Sequence, residues 1–148
     1  SVVSRTLIEE IIMMNGSCHC GAVRYAIDGK VLRFAFCHCD DCRKISGSPF
    51  GAALVVDAAG FRITQGEHQL TAYQSSPGKD RCFCKQCGTH LFARMASKPE
   101  IRIVRAGSLD TPPAVPPQMH IWTKVKAPWC TIGDALPQFT EGFVPAAK

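Results

Sequence analysis

A mainly β, single-domain fold is predicted for this 148-residue chain by three features. Short apolar stretches alternate with period two between Gly-, Pro- and Asp-containing turns, no long amphipathic helix is written after residue 14, and nine cysteines gather into closely spaced turns. With 46% apolar and 20% charged residues the chain is built to bury a core rather than to stay disordered. No run reaches the roughly 18 apolar residues of a membrane span. Glu9 and Glu10 interrupt Leu7 to Met14, which also spoils a secretory leader, so a soluble, unexported, cytoplasmic protein without membrane partners is expected.

Residues 1–15 read as an N-terminal extension, because Met13-Met14-Asn15-Gly16 resembles a natural start and what precedes it looks appended or like an upstream helix. Val23, Tyr25 and Ile27 alternate with Arg24 and Ala26 in a half-buried strand that stops at Asp28-Gly29. A second strand runs from Val31 to Phe36, into a cysteine cluster. Ala52 to Val56 and Phe61 to Thr64 flank Asp57-Ala58-Ala59-Gly60, a segment with the length and composition of a hairpin loop. Ser75 to Asp80 reads as a turn. Ile101, Ile103 and Arg105 alternate with Arg102, Val104 and Ala106 in a further strand, and the Pro-rich Thr111 to Pro117 is expected to be extended and non-helical. The folded unit is placed at residues 16–140, with 141–148 as a C-terminal tail.

Cys18 and Cys20, then Cys37, Cys39 and Cys42, then Cys82, Cys84 and Cys87 lie at gaps of one or two residues. Neighbours that close favour a shared metal ion over mutual disulfides, since a disulfide needs a particular Cβ arrangement whereas zinc gathers four thiolates around a point. The odd cysteine count points the same way. Seven thiolates on two Zn²⁺ ions would lower the formal charge of +5 to about +2, so the basic balance says little for nucleic acid. Lys and Arg are scattered without a basic block, and no nucleic-acid partner is expected.

Ser17-Cys18-His19-Cys20-Gly21 and Cys84-Lys85-Gln86-Cys87-Gly88 each place two thiols on a tight turn beside a glycine, whose freedom at positive φ lets backbone amides swing toward sulfur. Together they fill a tetrahedral structural zinc site of Cys18, Cys20, Cys84 and Cys87. Cys37, Cys39 and Cys42 offer only three thiols, the ligand set of a catalytic zinc whose fourth position stays open. Two readings of this second site stand: an open reactive centre, or a closed structural site whose fourth ligand is Cys82, His90, His120 or Cys130. Cys82 would point the same way as Cys84, although a thiol on a strand is more often packed in the core, and the same holds for Cys130. His19 and His38, between ligands, should project away from the metal. His90 and His120 are open as acids or bases or as ordinary packed residues. Arg43 and Lys44 can hold an acidic substrate or be charged loop residues.

The stretches Gly16 to Tyr25, Cys37 to Lys44, Phe83 to Phe92 and His120 to Trp129 together resemble the glutathione-dependent formaldehyde-activating enzyme family, S-(hydroxymethyl)glutathione synthase, which extends to centromere protein V. The resemblance implies an Mss4-like small β fold with zinc knuckles, a Cys₄ structural zinc, and a catalytic zinc on Cys37, Cys39 and Cys42. It also implies carbon–sulfur lyase activity that joins glutathione and formaldehyde. Cys82 departs from the family pattern, and no signature for the glutathione carboxylates stands out beyond scattered Arg and Lys. The competing function is a non-catalytic zinc-binding module for protein interaction on the same fold.

Overall fold

The computed structural model describes residues 13–145. Ten strands and one α-helix lie among them: β1 (Met14–Ser17), β2 (Arg24–Ile27), β3 (Val31–Cys37), α1 (Asp40–Ser46), β4 (Gly51–Asp57), β5 (Phe61–Gln65), β6 (Leu70–Ser76), β7 (Lys79–Cys84), β8 (His90–Met95), β9 (Lys98–Arg105) and β10 (Met119–Ile121). The mainly β expectation holds, and residues 111–117 are non-helical. No helix among the described residues is long and apolar enough to cross a membrane.

Strands β1, β2 and β5 form a three-stranded sheet, and the other seven pair in the order β10-β3-β4-β9-β8-β7-β6. All neighbours are antiparallel except β10, which runs parallel to β3. Because strand side chains alternate between faces, each face of the large sheet can be read from residue parity. Phe34, Leu54, Val56, Phe92 and Val104 project to one side and meet Met14, Val23, Tyr25 and Ile27 of the small sheet, forming the buried core. Fully burying side chains of this size stabilises by about 1.5–3 kcal/mol each. The opposite face of the large sheet carries the site described below.

Two sequence expectations change, and one element goes beyond them. Ala52 to Val56 and Phe61 to Thr64 are not a hairpin: β4 pairs with β3 and β9 in the large sheet, whereas β5 pairs with β2 in the small one. The intervening Ala58–Gly60 is a 3₁₀ turn that carries the chain between layers. Its anchor is a hydrogen bond from the Asp28 N–H to the Gly60 carbonyl at 2.7 Å, at a glycine where a Cβ would collide with the Asp28 carbonyl. Hairpin-like composition cannot reveal such a crossing, because pairing with β2 is non-local. The added element is the helix Asp40–Ser46, a short one for which no periodic pattern exists in seven residues. Second, Met14 and Asn15, which the sequence assigns to an extension, pair with Ile27 and Ala26 of β2. The rest of that extension, residues 1–12, lies outside the described residues.

Candidate metal centres and the adjoining cleft

Cys18 and Cys20 sit on the β1–β2 turn, Cys84 ends β7, and Cys87 lies on the turn that follows. Both turns close through backbone bonds from a glycine N–H, Gly21 to the Cys18 carbonyl at 3.0 Å and Gly88 to the Cys84 carbonyl at 2.8 Å. Both glycines take the left-handed conformation expected of them, φ +79° and +81°. All four sulfurs fall within 4.8 Å of one another. Cys18 and Cys20 are 3.6 Å apart and Cys20 and Cys84 3.9 Å, close to the edge of about 3.8 Å that a zinc tetrahedron with 2.3 Å bonds requires. The donor set therefore fits zinc. The Val23 N–H donates to the Cys18 sulfur at 3.2 Å, the amide-to-sulfur contact that spreads thiolate charge. Thr89, which the sequence reading did not single out, ties the turns together: its hydroxyl oxygen accepts from the His19 N–H at 3.0 Å. The same hydroxyl lies 3.2 Å from the Cys87 sulfur and holds that thiol down to about 5.

Cys37, Cys39 and Cys42 also bring three sulfurs within 4.8 Å of one another. The local structure explains how. Cys37 ends β3, Cys39 caps α1 by accepting a 3.4 Å hydrogen bond from the Cys42 N–H, and Cys42 lies in the first helical turn. None of Cys82, His90, His120 or Cys130 joins this cluster among the described residues. Strand alternation is the reason for Cys82: it turns into the core, while its neighbour Arg81 turns toward the thiols. Cys130 is half-buried rather than packed in the core. Both terminal nitrogens of Arg81 reach the Cys42 sulfur at 3.9 Å, and its Nε donates to Ser75 Oγ at 2.8 Å. Arg81 is 1% exposed, an unusual cost for a cation that only a paired negative charge would offset. The Cys37 and Cys39 thiols, with Arg105 and Arg81, hold the Cys42 thiol well below its usual range. Gly51 leaves the space in which Arg105 and Cys42 meet, since a Cβ there would lie 2.7 Å from an Arg105 nitrogen.

Neither sulfur cluster includes a histidine among the described residues. His38 is fully buried, and its Nε2 lies 2.8 Å from Nδ1 of His120, whose Nε2 lies 2.9 Å from the Asp134 carboxylate. A carboxylate only accepts, so His120 donates from Nε2 and accepts at Nδ1 from His38. His38 Nδ1 is then a bare acceptor, and it has no partner among the described residues. Burial holds His38 below the usual imidazole range. His90 stacks on Phe83 with ring centroids 4.9 Å apart, and His19 is exposed. Arg43 pairs with Asp40 at 2.6 Å and Lys44 is exposed.

A cavity of about 510 Å³ opens beside the second cluster, with Cys37 and Cys42 in its wall. Its cations are Arg33, Lys79, Lys98 and Arg105, and no Asp or Glu among the described residues lines it. Arg43 and Lys44 do not line it either. The four cations were not recognisable as a set because they come from β3, β7 and β9. The spacing of Arg33 from Cys37, an even number of residues along one strand, was the one available signal that they share a face.

Paired cysteine turns on a small two-sheet β scaffold gather two thiol clusters that could hold metal ions, one of four sulfurs and one of three. Residues 13–125 match the profile of the family described as glutathione-dependent formaldehyde-activating enzyme, and the chain belongs to that family. A protein of Halomonas elongata named "putative glutathione-dependent formaldehyde-activating enzyme" is 30% identical over 129 residues, 82% of each chain. Relatives of the same name from Sordaria macrospora and Emericella nidulans are 28% and 31% identical, and the match takes in 38% and 41% of their lengths. The crystal structure of a Rhodobacter sphaeroides protein superposes with a TM-score of 0.56 at 28% identity, covering 70% of this chain and 92% of that one.

Proposed function

We propose that the chain is a carbon–sulfur lyase-type enzyme that joins a small thiol to an aldehyde, with Cys37, Cys39 and Cys42 holding a catalytic zinc. Cys18, Cys20, Cys84 and Cys87 hold a second, structural zinc. Glutathione and formaldehyde, giving S-hydroxymethylglutathione, are the pair that the family description supplies. The observation that carries the proposal is that three sulfurs lie within ligand distance of one another, no fourth protein ligand stands among the described residues, and two of the three face a cationic cavity. Zinc bound there supplies a Lewis acid and favours the ionised form of a thiol.

The chain's own residues then have defined work. Arg81 and Arg105 set positive charge against the Cys42 sulfur and balance the excess negative charge of three thiolates on a divalent ion. Arg33, Lys79, Lys98 and Arg105 orient a carboxylate-bearing thiol, a role the sequence alone suggested for Arg43 and Lys44. In the reaction the sulfur forms a bond to the carbonyl carbon, the C=O π pair moves to oxygen, and the thiol proton ends on that oxygen. A reducing compartment such as the cytoplasm keeps the thiol ligands free of disulfides.

The test is the rate of S-hydroxymethylglutathione formation from glutathione and formaldehyde, followed by NMR with zinc-loaded protein and with Cys42→Ser. The intact protein is expected to exceed the uncatalysed addition at least tenfold, and the variant to match buffer. Equal rates with both proteins would end the enzymatic proposal.

A further inference from the structure

One face of the seven-stranded sheet is apolar and used by the core, while the other mixes apolar side chains with cations. The core face meets the small sheet. The other face, reached by residues of opposite parity, makes the floor of the cavity. Strand register gives that floor its shape. Across β3 and β4, Cys37 lies opposite Gly51, Ala35 opposite Ala53, and Arg33 opposite Val55. Next along, Val55 faces Ile103 of β9, and on the other edge Ala35 faces Met119 of β10. Glycine and alanine hollow the middle of the sheet while larger apolar side chains rise on both flanks. The result is a channel that runs along the strands from the cysteine cluster toward Arg33.

Arg33 is four residues from Cys37 on one strand, so the channel extends about 13 Å at about 3.3 Å per residue. Its volume of about 510 Å³ is within the range of about 300–1,000 Å³ typical of small-molecule sites. At the far end stand Lys98 and Arg33, the latter with its guanidinium 5.0 Å from the ring centre of Phe143, which closes that side. The pattern is a trough with an apolar middle, Lys79 and Arg105 nearer the cysteines, Arg33 and Lys98 at the far end, and no described carboxylate.

We infer that this trough binds an amphipathic carboxylate, an unbranched apolar chain with one anionic end at Arg33 and Lys98. Resting on the proposed thiol–aldehyde chemistry at the cysteine end, ω-mercapto fatty acids form a further thiol substrate class of the site, beside glutathione.

Binding can be read without any reaction by titrating the zinc-loaded full chain with acetate, butanoate, octanoate and octanol by calorimetry, with the Met95 and Met119 methyl signals as a positional readout. Octanoate should bind at least a hundredfold more tightly than acetate, at up to about fourfold per buried methylene. It should also bind about tenfold more tightly than octanol and shift both methyl signals. Arg33→Gln should weaken octanoate about tenfold, leave octanol unchanged and retain two zinc ions. Acetate or octanol binding as tightly as octanoate would overturn the inference, as would methyl signals that do not move. Octanoate binding that emerges only after removal of residues 1–12 would also overturn it, by making the chain's own apolar, Glu-containing N-terminal segment the occupant. Accelerated glutathione addition without octanoate binding would sink this inference alone, whereas octanoate binding with no thiol turnover would sink the proposed reaction alone.

Discussion

The two cysteine clusters use the same donor atom and differ in where the chain supplies it. The four-sulfur cluster draws Cys18 and Cys20 from the β1–β2 turn and Cys84 and Cys87 from the end of β7, with Cys20 and Cys84 separated by 64 residues. Closing a loop of that size costs the unfolded chain substantial entropy, so a metal bound there would act as a cross-link between the small and the large sheet. The three-sulfur cluster is confined to Cys37–Cys42 and assembled by local geometry, a strand end followed by a helix cap. A metal there constrains little that is not already fixed. The second cluster also lies against two guanidiniums and forms part of a cavity wall, whereas two sulfurs of the first, Cys20 and Cys87, are exposed on turns. On the proposed reading, separation in sequence marks the site that would organise the fold, and proximity with an incomplete shell marks the site proposed for chemistry.

Serine replacements separate the two roles most sharply. Cys84→Ser is expected to release one zinc ion and lower unfolding free energy by more than about 4 kcal/mol, measured by metal analysis and denaturant titration. Cys39→Ser should also release one ion, yet cost only about 1–2 kcal/mol and keep the native NMR dispersion. Equal destabilisation by the two variants would erase the distinction.

A smaller effect is expected from Arg81→Met, which keeps much of the side-chain volume but removes the guanidinium beside Cys42. Its zinc affinity at the three-sulfur site should fall about tenfold while the other site is unaffected, as read by competition with a chelator. Unequal response of the two ions is the diagnostic result, and a parallel loss at both would point to general loosening of the core.

The smallest effect concerns acid stability. The hydrogen bond from His120 holds the Asp134 carboxyl below its ordinary value. A depressed carboxyl stabilises the fold above its unfolded pKa and loses that contribution as pH falls through the folded one. Asp134→Asn should therefore flatten the acid limb of a melting-temperature profile below about pH 4 and lower the plateau slightly. It should leave zinc content at two ions, and an unchanged acid limb would remove Asp134 from the chain that orders His120 and His38.

Much of the site was legible because its determinants are local. Gly21 and Gly88 adjoin their cysteines, and the short gaps place each pair of thiols close together on one turn. Tyr25 and Ile27, or Ile101 and Ile103, announce strands through period two. What escaped was decided by pairing between distant segments. Arg81 looks like any charged strand residue until β7 and α1 are placed together. Arg33, Lys98 and Arg105 become one set only when β3, β4 and β9 are in register. The seven-residue helix is held by Cys39 at its N-cap and by Gly47 at φ +62° at its C-cap, signals that a metal-ligand reading of the same residues obscures.

Cobalt substitution tests the central asymmetry directly, because Co²⁺ reports its coordination by absorption while occupying zinc sites. Two Co²⁺ ions per chain are predicted, and addition of a small thiol should perturb the bands of one ion only, with that response missing in Cys39→Ser. A single ion per chain, or bands from both ions that ignore the added thiol, would contradict the account.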